Sequence, residues 1–261
     1  MRAKVALRKP FADAVDEKGY FCTVQENLIP GVEMDQFESD LHAGDGNELQ
    51  TKFRAVHSSS ALAVNCFGPL KKQLGDLSLL GQLGATALRF ERQLPIIPGR
   101  RPANLDVWIE RGSDVVAVES KLLEYFTPKL AKFADAYEVM KPPASESSWW
   151  SAYEYYRTDY RGHLDVAQLI KHYFGIRRYL ENTSSAANVP LLYLFWESDN
   201  WDQVPECIAH RAEITAFAKL VADSSVAFRW MPYSALWKEW YRIPSLATHA
   251  GHLARRYAVS I

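Results

Sequence analysis

The stretch Ala103-Asn-Leu-Asp-Val-Trp-Ile-Glu-Arg-Gly-Ser-Asp-Val-Val-Ala-Val-Glu-Ser-Lys-Leu-Leu-Glu124 holds two apolar runs, residues 105–109 and 115–118. A polar segment containing Gly112 separates them. Two β-rich runs joined by a short glycine-containing turn predict a hairpin. Asp106 stands near the start of the first strand, and Glu119 and Lys121 stand at the end of the second. Residues two apart in a strand share a face. Glu119 and Lys121 therefore project together, Ser120 points away, and hairpin pairing brings Asp106 beside them.

That trio has a chemical logic. Neighbouring carboxylates repel and desolvate each other, which is costly unless a cation lies between them. Carboxylate oxygens suit Mg²⁺, which is usually held by one or two carboxylates completed by water and substrate phosphate. A nearby lysine stabilises developing negative charge, or orients or deprotonates a water. Acid, acid, lysine and metal at a sheet end is a phosphodiester-cleaving arrangement. The competing reading is a solvated sheet edge carrying an ordinary ion pair of little worth. A second acid-x-Lys triplet, Asp16-Glu17-Lys18, sits in an acidic segment without a strand pattern and is not a candidate.

Asp106, twelve intervening residues, then Glu119-Ser120-Lys121 resembles the PD-(D/E)XK nuclease superfamily, with Leu105 where the motif's name has proline. The chain resembles more closely a bacterial family of restriction endonucleases. It shares with that family an upstream run: Gly46-Asn-Glu48-Leu, Lys52-Phe-Arg-Ala-Val-His57-Ser-Ser, Ala61-Leu-Ala-Val-Asn65 and Phe67-Gly-Pro69. The resemblance covers residues 44–200. It implies an α/β fold with a restriction-endonuclease-like αβββαβ core, a central mixed β-sheet flanked by helices, and an extra C-terminal helix-strand-helix. It implies a Mg²⁺-dependent DNA endonuclease, with Mn²⁺ able to substitute, leaving a 5′-phosphate. Asp106 and Glu119 would bind the metal with the Ser120 backbone carbonyl and Glu48, and Lys121 would position or activate the attacking water. Glu48 has an alternative reading as a helix N-terminal acid favoured by the macrodipole. The superfamily often offers a glutamine or basic residue from the helix after the lysine. Gln168 and Lys171 match that place, with plain surface positions as the alternative. Double-strand cutting also suits a homodimer, because a two-fold axis relates the strands.

The rest of the chain sets bounds. Its 261 residues, 48% of them hydrophobic, suit one domain and exclude a disordered chain. The expected division is a core over 44–200 and an extension over 201–261. No run approaches the roughly 18 apolar residues of a membrane helix, and residues 1–19 lack a secretory signal's apolar core, so a cytoplasmic location is expected. Cys22, Cys66 and Cys207 form no CxxC pair and read as buried free thiols. The net charge of −1 is unevenly spread. Residues 10–50 carry ten acids and one lysine, while residues 51–261 carry 21 acids and 25 bases. A modestly basic body binds phosphate where its charges cluster.

Periodicity predicts helices from residue 48 past the serines 58–60, over 70–83, over 130–140, over 164–180, over 210–222 and over 245–258. It predicts strands over 86–94, 189–196 and 226–231. Arg100 and Arg101 in the loop before the hairpin are candidate phosphate contacts, as is His57 with the serines that follow. A local hydrogen-bonded helix irregularity is the other reading of that segment. The aromatic cluster 149–160 reads as core packing rather than base stacking.

Overall fold

In this computed structural model, residues 2–44, 49, 51–140, 147–183, 189–222 and 224–261 are described. Helices α1 (Arg2–Arg8), α2 (Glu38–Ala43) and α3 (Ser59–Phe67) precede a small hairpin of β1 (Ser78–Leu79) and β2 (Gln82–Leu83). Strands β3 (Ala87–Leu94), β4 (Ala103–Arg111) and β5 (Asp114–Lys121) follow, then β6 (Lys129–Leu130), α4 (Ser147–Tyr156), β7 (Arg161–Gly162) and α5 (Val166–Thr183). After these come β8 (Leu191–Phe195), α6 (Pro205–Leu220), β9 (Phe228–Pro232), α7 (Tyr233–Tyr241) and α8 (Pro244–Tyr257).

The predicted hairpin forms, with Val107 opposite Val118 and Arg111 opposite Asp114. It lies inside a five-stranded sheet of order β3-β4-β5-β8-β9. The first three strands are antiparallel, and β8 and β9 add in parallel. The apolar run 189–196 reads as a strand covered on both faces, and all of β8 is buried. One face of the sheet packs against α3, α7 and α8. The other packs against α4, α5 and the Ile214 and Phe217 side chains of α6. This mixed sheet flanked by helices is a restriction-endonuclease-like α/β architecture. Residues 201–261 supply its fifth strand.

Several helices expected from periodicity are replaced, each for a physical reason. Residues 70–83 form 3-10 turns and the β1–β2 hairpin. Leu80 and Gly81 take φ of 55° and 74°, the paired positive values of a tight hairpin turn. The Arg111 guanidinium then takes the carbonyls of Leu79, Gln82 and Gly84. Residues 52–54 form only a 3-10 turn, because the Asn27 amide captures the Phe53 and Ala55 carbonyls. Residues 130–140 give β6 and then a 3-10 helix over Asp135–Met140. Helices α1 and α7 carry no clear signal in the sequence, and Cys22 is exposed rather than buried. The aromatic cluster is core: Trp149 stacks on Tyr173 at 4.7 Å and donates to the Val226 carbonyl.

Helix α5 is seated through Gly175. A Cβ there would come within 2.9 Å of Ala103 Cβ and 3.1 Å of Leu94 Cβ. Alanine gains about 1 kcal/mol in helix propensity, but overpacking costs about 1–3 kcal/mol. Gly175→Ala is therefore expected to destabilise the fold by about 0–2 kcal/mol in urea unfolding, by lifting α5 from β3 and β4.

His210 of α6 stacks on Tyr125 at 3.9 Å, and its Nε2 hydrogen-bonds with the Tyr193 hydroxyl at 2.9 Å. Burial, then His163 and Arg211, hold its pKa down at about 3. The unfolded chain takes up this proton as pH falls below about 6.5, whereas the folded chain does so only near pH 3. Folding stability is thus lost as pH falls through that window, by about 2 kcal/mol at pH 5. His210→Gln, whose amide keeps a hydrogen-bond partner for Tyr193, is expected to flatten the pH dependence of stability between pH 6.5 and 4.

Candidate active site

Asp106, Glu119 and Lys121 come together where β4 and β5 part. The last pair of their ladder is Val107 with Val118, so Asp106 and Glu119 are the next opposed residues. Beyond that pair the Ser120 N–H finds a side chain instead of a strand, donating to Asp106 Oδ2 at 2.6 Å. The Ser120 hydroxyl bonds the Tyr233 hydroxyl at 2.7 Å.

The β3–β4 ladder is irregular at the same level. Phe90 pairs with Val107 and Arg92 with Leu105, while Glu91 opposite Asp106 has φ of 50°. Core packing changes face there. Leu88, Phe90, Val107 and Ile109 belong to one apolar cluster, and Leu94, Ala103 and Leu105 to the other. Strict alternation would keep Leu88, Phe90 and Leu94 together on one face, and likewise Ala103, Leu105, Val107 and Ile109. The slip at this level turns Asp106 toward the gap, where it meets the Ser120 N–H, as local strand irregularities at functional sites commonly re-aim a side chain.

Glu119 is fully buried and both its oxygens are engaged. Lys121 Nζ bonds Oε1, and His172 Nε2 bonds Oε2 at 2.7 Å. Lys121 Nζ also donates to Gln168 Oε1 at 2.8 Å. His172 Nδ1 has no partner among the described residues, so Nε2 carries the proton that faces the carboxylate. Burial alone would push the Glu119 carboxyl up, but Lys121 and His172 hold it down at about 2. Burial would pull Lys121 down, but Glu119, Glu124 and Asp106 raise it well above its ordinary range. Asp106 is the strained member. Burial, Glu119 and Glu91 push its carboxyl well above the usual range, and Lys121 and the Ser120 N–H offset this only in part.

Beside the trio lies a cavity of about 520 Å³. Gln168 and His172 line it and at the same time touch Lys121 and Glu119, so they form the wall between cavity and trio. Arg100, Arg101, Lys132 and Lys171 also line it, against Asp165 as the single acid among the described residues. The structure thus brings Gln168, Lys171, Arg100 and Arg101 to one cavity next to Asp106, Glu119 and Lys121. It does not bring His57 there. His57 lines a separate cavity of about 430 Å³ with Lys4, Lys52 and Glu124, and Ser58 caps α3 by accepting from the Ala61 N–H. Glu48 lies outside the described residues. Sequence reasoning missed His172 and Glu91. The signal for His172 was its place four residues after Gln168, on the same side of an amphipathic helix.

Among the described residues no group of three or more His, Cys, Asp and Glu is arranged to hold a metal ion. Two carboxylates are nonetheless enough for Mg²⁺ completed by water and phosphate. Asp106 Oδ1 makes no hydrogen bond among the described residues, and its carboxyl lacks a full counter-charge. Asp106 and Glu119 are in this sense a fit to a hard divalent cation, with Oε1 of Glu119 shared with Lys121.

The fold and this acid–acid–lysine corner define a restriction-endonuclease-like protein. The family described as "Restriction Endonuclease associating with ARP" matches residues 7–258, and the chain belongs to that family. No curated protein and no solved structure matches it significantly. Among the described residues no helix is long and apolar enough to cross a membrane.

Proposed function

We propose that the protein is a Mg²⁺-dependent DNA endonuclease. The observation that carries the reading is the corner of Asp106 with the buried Glu119 and Lys121, which shares Gln168 and His172 with a cavity carrying four cationic side chains. Membership of a restriction endonuclease family supports a nuclease role. A bound Mg²⁺ or Mn²⁺ would polarise a phosphate oxygen and generate a hydroxide nucleophile near neutral pH. Asp106 and Glu119 supply the oxygens for it. Lys121 Nζ places a fixed positive charge beside those oxygens, where it can orient a water and stabilise charge building on a phosphate. Arg100, Arg101, Lys132 and Lys171 hold the flanking phosphates, a contact that positions the strand without reading its sequence. The family description names ARP as an associate, so ARP is a proposed partner beside DNA.

A second reading, a protein that binds nucleic acid without cutting it, is favoured by one observation. Both Glu119 oxygens are already satisfied within the protein. Incubation with supercoiled plasmid, linear duplex, single-stranded DNA, branched DNA and RNA, in Mg²⁺, Mn²⁺ or EDTA, separates the two. Cutting that requires the metal and is lost in Asp106→Asn supports the endonuclease. Tight, metal-indifferent binding without product supports the second reading.

A further inference from the structure

We infer that His172 is a positioning residue that fixes Glu119 through Oε2, so that Oε1 is the oxygen presented to a divalent cation. This role rests on the reading of Asp106 and Glu119 as cation ligands. Both Glu119 oxygens are occupied, so a cation must displace one partner. The two partners differ in what they can do next. Lys121 Nζ already holds a second acceptor, Gln168 Oε1 at 2.8 Å. His172 Nε2 has Glu119 as its acceptor, at 2.7 Å, and the imidazole is 1% exposed. Its helix does not follow a moving carboxylate. The neighbouring Tyr173 is stacked on Trp149, and Gly175 rests on Ala103 and Leu94.

The spacing matches as well. Gln168 and His172 are four residues apart on α5, a rise of about 6 Å. Glu119 and Lys121 are two apart on β5, a rise of about 6.6 Å. One helix face therefore meets both functional side chains of the strand at once, Gln168 on Lys121 and His172 on Glu119. When Oε1 turns to a cation, Gln168 retains the ammonium and His172 keeps the carboxylate plane in place. Outer partners that orient a ligating carboxylate typically carry 10–100-fold of the metal affinity.

The test is Mn²⁺ binding to the whole chain without DNA, read by electron paramagnetic resonance at fixed pH. Wild type is compared with His172→Gln, whose amide can still donate to Glu119, and with His172→Leu, which fills the space without a donor. The glutamine variant is expected to bind within a few-fold of wild type, and the leucine variant about 10–100-fold more weakly. Thermal melts without metal accompany each. A merely structural role would move the melts and leave the Mn²⁺ affinity alone. Wild-type affinity in His172→Leu overturns the role, and so does an equal loss in both variants. Gln168→Leu leaves His172 untouched and guards against a leucine variant that fails to fold. Without its second acceptor Lys121 holds Oε1 harder, and Mn²⁺ binding is expected to weaken roughly tenfold; no change overturns the exchange. A wild-type chain that binds no Mn²⁺ removes the cation-ligand reading itself, an outcome distinct from tight binding that is indifferent to residue 172.

Discussion

Replacing Lys121 by methionine is expected to lower DNA cleavage by about 10²–10⁴-fold, the range of a positioned acid–base or charge-stabilising group. The same change should destabilise the fold. Lys121 is 8% exposed and Glu119 is 0% exposed, so their contact is a buried ion pair. Removing one partner of such a pair costs about 3–5 kcal/mol, because the remaining charge stays buried. Here His172 still donates to Glu119 Oε2, which places the cost at the lower end, about 3 kcal/mol. Loss of activity alone would therefore be ambiguous between chemistry and unfolding. The double variant Lys121→Met, Glu119→Gln separates them. It removes both charges and keeps an amide that accepts from His172, so urea unfolding should recover most of the lost stability. Cleavage should stay absent. Wild-type rates in Lys121→Met would remove the lysine from the reaction. Recovery of cleavage in the double variant would show that only stability had been lost.

The hairpin was legible because its apolar alternation and glycine turn agree with each other, and because period-two geometry places Glu119 and Lys121 on one side of β5. The buried run of β8 and the stripe of α5 were legible for the same reason: one period dominates each. Residues 70–83 were misread because their leucines keep a helical rhythm. What overrules that rhythm is distant in sequence, since Arg111 takes the carbonyls of Leu79, Gln82 and Gly84. The site divides along the same line. Asp106, Glu119 and Lys121 lie on adjacent strands, so local geometry predicts their meeting. Gln168 is expected on the substrate side; it lines the cavity and at the same time holds Lys121 Nζ, a contact between elements distant in sequence. His172 was hidden among Leu169, Ile170, Tyr173 and Ile176, where a histidine reads as part of the apolar face. Only the seating of α5 on β3 and β4 through Gly175 aims it at Glu119. Glu91 is set by a left-handed backbone angle at the face change in β3, which no alternation pattern encodes.

Asp106→Asn is expected to stabilise the metal-free protein while abolishing cleavage. Asparagine keeps a side-chain carbonyl for the Ser120 N–H, so the bond at Asp106 Oδ2 can be retained. What it removes is a carboxylate that burial, Glu119 and Glu91 make costly to ionise. The folded-state pKa lies above the unfolded value of about 3.9, so above that pH the folded chain binds more protons than the unfolded one. Stability attributable to this group then falls as pH rises. The variant should match the wild type near pH 4 and exceed it progressively toward pH 8, in urea unfolding carried out in EDTA. Divalent metal should reverse the order. A cation that binds only the folded wild type adds about 2.7 kcal/mol at a hundred times its Kd, and the variant, short of a charged ligand, gains less. Cleavage should fall by more than about 100-fold, the upper end of what an outer partner of a ligand costs. A variant less stable than wild type at pH 8 in EDTA would contradict the buried-charge account of Asp106. A variant that gains as much stability from Mg²⁺ as the wild type would take Asp106 out of the cation site. Stability rising while cleavage disappears is the expected signature of a carboxylate kept for its chemistry at a cost to the fold.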